Sequence, residues 1–215
     1  MCENDFVIGE TGNELGFCCS CTSNKNFPYD LNKYYEDYDN GKVIFKGFET
    51  MDRGILEHYK NVRVLVAGSS SQYEPHLNPY AASKNVIENI PHPNVLFMRF
   101  HTVYSESPRA KMFFDKLLNG TLEYTTNHQR DFIHLEDLTD GIMLLMDKDL
   151  TGNIDIGTGY CVRIQDIRPD LPVKLNTVGE RTKTQANTHL MDKLGFRPKY
   201  TVDGFLKEQG FKKWE

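Results

Sequence analysis

Lys60-Asn61-Val62-Arg63-Val64-Leu65-Val66-Ala67-Gly68-Ser69-Ser70-Ser71-Gln72-Tyr73, followed by Pro79-Tyr80-Ala81-Ala82-Ser83-Lys84, is the stretch whose reading decides the fold. Its first part reads as a buried strand, an apolar run that ends at a serine cluster. Pro79 then opens a helix at its first turn, where a missing N–H does no harm. Tyr80 and Lys84 stand four residues apart, on one face of that helix and one turn from each other. A free phenol, with a pKa near ~10, is a poor base at neutral pH. A fixed ammonium beside it stabilises the phenolate and makes it a usable general acid/base. A serine at the end of the preceding strand can hydrogen-bond the same reacting hydroxyl. These parts suit oxidation and reduction of an alcohol by a nicotinamide. Tyr-x-x-x-Lys alone also arises by chance on amphipathic helices with a surface lysine; the strand and the serines before it give it weight.

Further along the chain stand Val95-Leu96-Phe97-Met98-Arg99-Phe100-His101-Thr102-Val103-Tyr104, Arg130-Asp131-Phe132-Ile133-His134-Leu135-Glu136-Asp137-Leu138, Gly152-Asn153-Ile154-Asp155-Ile156-Gly157-Thr158-Gly159 and Leu194-Gly195-Phe196-Arg197-Pro198. Together with the strand, serines, tyrosine and lysine, this ordered set resembles the extended short-chain dehydrogenase/reductase family, the NAD-dependent nucleotide-sugar epimerases, dehydratases and reductases. The corresponding family runs are Arg-Phe-Phe-Asn-Val-Tyr-Gly, Arg-Asp-Phe-Ile-His-Val-Asp-Asp, Tyr-Asn-Ile-Gly-Thr-Gly and Leu-Gly-Trp-x-Pro. The resemblance implies an α/β fold: a Rossmann-like doubly wound parallel sheet, shortened in its first half, with a small mixed C-terminal substrate lobe. The cofactor domain is expected at 1–104 plus 129–159, and the substrate lobe at 105–128 plus 160–215.

Catalytic roles carry over residue by residue. The resemblance makes Tyr80 the acid/base, makes Ser69 the hydrogen-bond partner of the reacting oxygen, and has Lys84 hold the nicotinamide ribose. Gly68-Ser69-Ser70-Ser71-Gln72-Tyr73 is similar to the Gly-Ser-Ser-Cys-Ile-Tyr of GDP-fucose synthases, but Ser71 stands where they carry an acid/base cysteine. Dehydratases have Thr-Asp-Glu here, and Ser69-Ser70-Ser71 lacks both carboxylates. Simple oxidation–reduction needs only serine, tyrosine and lysine, which points to a nucleotide-sugar epimerase. A 4-keto-sugar reductase and a non-catalytic sugar-nucleotide binder are the alternatives. Arg130 occupies the family's diphosphate-binding position, where a planar guanidinium suits phosphate; pairing with Asp131 or Glu136 is its plain structural alternative. Ser70, Ser71 and Thr102 join Arg130 as expected substrate contacts, with Thr102 in place of an asparagine. Asn187 likewise replaces a usual aspartate.

The N-terminal quarter is compressed. Phe6-Val7-Ile8-Gly9-Glu10-Thr11-Gly12-Asn13-Glu14-Leu15-Gly16 is similar to the family's first strand and glycine-rich turn, with one extra residue before the last glycine. There Gly9, Thr11, Gly12 and Gly16 would let backbone N–H groups and a helix N-terminus approach a pyrophosphate. Gly41–Gly47 reads as the strand before the serine strand, only about two dozen residues after Gly16. By position the resemblance adds Asp30, Lys46, Gly47, Phe48 and His101 to the expected cofactor contacts. No acidic or basic ribose-selecting residue stands out, so the choice between NAD and NADP is unreadable.

Composition excludes other classes. Lys plus Arg number 25 against 30 Asp plus Glu, a formal net charge of −5, which argues against a nucleic-acid binder. No apolar run approaches the ~20 residues of a membrane span, and the first residues lack the pattern of a signal peptide, so a cytoplasmic enzyme is expected. Cys18-x-x-Cys21 has no second pair and no nearby histidine, and reads as packing rather than as a metal site. No metal is expected. In relatives two long helices pair across a homodimer axis. Here they span only roughly Glu49 to Tyr59 and Pro79 to Ile90, so a homodimer would bury less area.

Overall fold

The computed structural model describes residues 5–8, 10–11, 14–15, 61, 63–175 and 177–211. The expected strand at 41–47, the helix at 49–59 and the cysteines at 18, 19 and 21 lie outside these residues. So do Gly9, Gly12, Gly16, Asp30, Lys46, Gly47 and Phe48. The chain divides into two compact units, Met1–Met98 with Leu150–Asn153 and Arg99–Asp149 with Ile154–Glu215.

In the first unit, β1 (Asp5–Ile8) runs parallel to β4 (Arg63–Ser69), with Phe6 opposite Val64 and Ile8 opposite Val66. β4 is the strand expected before the serines, and its Val64 and Leu65 have no exposed surface. A short 3-10 turn, Ser70–Tyr73, follows, and then helix α1, Pro79–Glu88. The sequence explains where α1 starts. Asn78 is extended, and its Oδ1 accepts the Ala81 N–H at 2.8 Å, with proline next in the first turn. The far end of α1 is the buried end: Ile87 and, just past the helix, Ile90 pack with Val64, Val66, Val95 and Phe97. Strand order in this sheet is β1-β4-β5-β9, where β5 is Val95–Phe100 and β9 is Gly152–Ile156.

Of the glycine-rich stretch, Glu10–Thr11 (β2) and Glu14–Leu15 (β3) are described; they pair antiparallel, with Glu10 opposite Leu15 and Thr11 opposite Glu14.

In the second unit, β6 (Thr102–Tyr104) runs parallel to β8 (Gln129–His134), and β10 (Cys161–Arg163) pairs antiparallel on its other side. Within the run Val95–Tyr104, β5 ends at Phe100 and β6 begins at Thr102, in different sheets. Helix α2 is Phe113–Leu118 and α3 is Leu135–Met146. α4 (Ile164–Ile167), α5 (His189–Lys193) and α6 (Val202–Glu208) follow, and β7 (Thr125–Thr126) pairs with β11 (Val173–Lys174). Tyr104, Phe114, Leu117, Phe132, Ile167, Val202 and Phe205 form the core. Tyr104 stacks on Phe114 with centroids 5.0 Å apart and meets Phe205 edge-on at 5.1 Å. Among the described residues no helix is long and apolar enough to cross a membrane.

Candidate active site

Ser69, Tyr80 and Lys84 all belong to the first unit. Ser69 ends β4 in extended geometry, and its Oγ accepts the Ser71 N–H at 3.2 Å, capping the 3-10 turn. A hydroxyl has one donor and two acceptor positions, so the cap leaves the Ser69 O–H able to donate to a reacting oxygen. Ser70 is buried and Ser71 half-buried. Tyr80 lies in the first turn of α1 with 49% of its surface exposed, and Lys84 Nζ sits 5.7 Å from the centre of its ring. A half-exposed phenol with an ammonium over it, on the helix that follows a hydroxyl-capped strand end, can exchange a proton with a bound alcohol.

The second unit holds the other described candidates. Thr102 is half-buried in β6, opposite Phe132 in the register with β8. His101 is buried; its Nε2 lies 3.5 Å from Asp155 Oδ2, and neither ring nitrogen has a hydrogen-bond partner. Arg130 does not pair with Asp131 or Glu136. Its Nη1 donates to the carbonyls of Arg181 (2.7 Å) and Gln129 (3.1 Å), and its Nη2 meets Glu180 Oε2 (3.3 Å) and His128 Nδ1 (3.1 Å). Burial lowers the Arg130 pKa, against the opposing pull of Glu180.

His128 and Glu180 were not singled out in the sequence, since their partner relation spans fifty residues of chain. His128 is buried, and burial and the adjacent Arg130 charge push its pKa down. Its Nδ1 lies 3.1 Å from Arg130 Nη2 and 3.2 Å from Glu180 Oε2, and its Nε2 lies 2.9 Å from Thr177 Oγ1.

Asp131, first read as a salt-bridge alternative for Arg130, has a different task. It is fully buried and accepts from Thr158 N–H and Oγ1 and from the Gly159 and Ala186 N–H groups, all at 2.8–2.9 Å. This explains Gly157-Thr158-Gly159. A Cβ on Gly157 would lie 2.6 Å from Ala186 Cβ, and Gly159 takes φ +78°, a conformation that side chains disfavour. The chain after β9 thereby wraps a carboxylate that neutral donors stabilise. Among the described residues no group of three or more metal-ligating side chains occurs.

No protein-family model matches the chain. An uncharacterized protein of Methanocaldococcus jannaschii is 24% identical over 211 residues, and the match covers 86% of this chain and 63% of that relative. The chain therefore spans less than two thirds of that relative's length. Among solved structures, the Bacillus cereus UDP-glucuronic acid 4-epimerase, in complex with UDP-glucuronic acid and NAD, superposes with a TM-score of 0.65 at 21% identity, covering 79% of this chain and 68% of the epimerase. An NAD-dependent NDP-hexosamine 5,6-dehydratase of tunicamycin biosynthesis gives 0.63 at 18% identity, covering 80% of this chain and 70% of that one.

Two outcomes follow from the second unit. Asp131→Ala leaves several buried donors unsatisfied, at about 1–3 kcal/mol each. It is expected to lower unfolding free energy in urea by at least about 3 kcal/mol, while Asp149→Ala, at an exposed position, changes it little. For His128 the folded pKa lies below the unfolded value of 6.5, so its stabilising contribution is present above pH 6.5 and is lost as pH falls. Melting temperature is expected to drop on acidification below that point, and His128→Gln to flatten the drop.

With both units described, the chain has the Rossmann-type fold of the nucleotide-sugar epimerases and dehydratases.

Proposed function

We propose that this chain is an NAD(P)-dependent nucleotide-sugar epimerase that works by oxidation and reduction at one sugar carbon. The observation that carries the reading is Ser69 at the end of β4 with Tyr80 and Lys84 in the opening turns of α1. Fold alone assigns no chemistry; these three side chains, on that fold, supply the argument. Relatives in fold that hold NAD together with a nucleotide sugar support the cofactor and substrate class.

The donor set around Tyr80 fits the ribose of a nicotinamide, since the Lys84 ammonium offers three N–H donors. When bound, that group supplies the hydride acceptor and donor. Tyr80 Oη takes the proton from the sugar hydroxyl and returns it. Ser69 Oγ donates to the same oxygen as its charge grows, and Lys84 sets a positive charge beside the phenolate. Arg130 is the candidate for the diphosphate, with Thr102 and the serines Ser70 and Ser71 as further substrate contacts and His101 as a further cofactor contact. The all-serine run Ser69-Ser70-Ser71 offers neither the carboxylates of a dehydratase nor an acidic thiol, which favours oxidation–reduction over elimination. A reductase of a 4-keto-sugar uses the same three residues and is the first alternative.

A second reading, a sugar-nucleotide binder that does not turn over, is favoured by one observation. The hairpin β2–β3 stands where a phosphate-binding turn was expected to lead into a helix.

The test is a panel of UDP-, GDP- and dTDP-sugars incubated with catalytic NAD or NADP and read by product-sugar analysis. A changed sugar configuration without net cofactor consumption identifies the epimerase, and stoichiometric NAD(P)H oxidation with a 4-keto substrate identifies the reductase. Tyr80→Phe is expected to lower kcat by about 100-fold or more at similar KM. Unchanged turnover in that variant overturns the assignment.

A further inference from the structure

Gln72 is a polar side chain in an apolar place. It is 5% exposed, sits in the 3-10 turn just after Ser69, and stands where the similar GDP-fucose synthase run carries isoleucine. Burying an amide is unfavourable unless its hydrogen bonds are made. Here one group meets Gln72 twice: Asn85 Nδ2 donates to the main-chain oxygen and to the side-chain Oε1, each at 3.3 Å. Asn85 is the residue after Lys84 on α1.

The geometry points to Asn85 and Gln72 as a positioning pair that clamps the Ser69 turn against the Tyr80–Lys84 helix, so that Ser69 Oγ and Tyr80 Oη converge on one substrate oxygen. The inference rests on the catalytic reading above. Three features support it. Ser69 is already tied to the turn through its bond to Ser71 N–H, so moving the turn moves the serine. The large apolar side chains that seat α1, Ile87 and Ile90, lie at its far end, and the tyrosine end has only the buried methyl of Ala81 beside its polar contacts. The link between turn and helix is the five-residue stretch 74–78, held by the Glu74 N–H to Ser71 O and Leu77 N–H to Glu74 O bonds. A misplacement of about 1 Å at a reacting group can lower rate about 100-fold, so a clamp at this point acts on kcat. Asn85 touches neither substrate nor cofactor in this scheme; it acts through Ser69.

The experiment compares the wild type with Asn85→Asp, which keeps the shape but removes the donor, with Asn85→Leu, and with the apolar pair Gln72→Val/Asn85→Leu. Asp149→Ala, at an exposed position in the second unit, is the control. Two readouts are taken on each protein: amide hydrogen exchange across residues 69–75, and kcat and KM with the sugar nucleotide found active. The clamp predicts at least tenfold faster exchange in the turn for both single variants, with β4 beyond it unchanged. It also predicts a tenfold or greater loss of kcat, and recovery of slow exchange in the apolar pair, which removes the buried polar groups together. Unchanged exchange in the turn overturns the clamp, whether or not turnover is found. Faster exchange with unchanged kcat overturns its positioning role. If the wild type turns over no sugar nucleotide, the catalytic reading fails on that result, and hydrogen exchange still decides whether the clamp exists.

Discussion

The seating of α1 on strands β4 and β5 is the constraint on which the candidate site depends. Six buried residues, Val64, Val66, Ile87, Ile90, Val95 and Phe97, hold the far end of the helix to the sheet. At about 1.5–3 kcal/mol for each buried side chain, their gross contribution is on the order of 10 kcal/mol. A single hydrogen bond contributes about 1 kcal/mol. Hydrophobic burial therefore decides that the helix lies there, while the Asn78 cap, the Ser69 cap and the Asn85 amide adjust how its exposed first turn meets the end of the strand. The phenol of Tyr80 stays accessible, with 49% of its surface exposed, while Ala81 beside it is buried.

The second unit solves a different problem with buried carboxylates. Asp131 receives the Ala186 N–H, Asp155 the Asn187 N–H, and Asp137 the N–H groups of Lys199 and Tyr200. Each takes neutral backbone donors, which stabilise a buried charge, and Asp155 also has Arg99 Nη1 3.6 Å away. These bonds fasten 186–200, the stretch around α5, to β8, β9 and α3. Near them Tyr200 donates to Glu136, and that bond holds the Tyr200 pKa up at about 12.

Strand β4 and the proline-opened helix were legible because strong local signals coincide there: an apolar run that ends at serines, and a proline at a first turn. Two other features were not. The partners of Arg130 were hidden because Glu180 and Arg181 are brought to it by the fold, along a strand-like segment whose Thr182 and Thr184 bond to Gln129. Gln72 looked like any polar turn residue until its burial and its bonds to Asn85 were known. Local chemistry writes itself into local sequence, whereas a partner fifty residues away leaves no spacing to read.

The catalytic account requires a nicotinamide beside Tyr80, and the compressed N-terminal quarter is the part that must hold most of it. Calorimetric titration of the purified protein with NAD and with NADP tests this most directly. The account predicts saturable binding of one of them with a dissociation constant in the micromolar range. No heat of binding from either at millimolar concentration would contradict it.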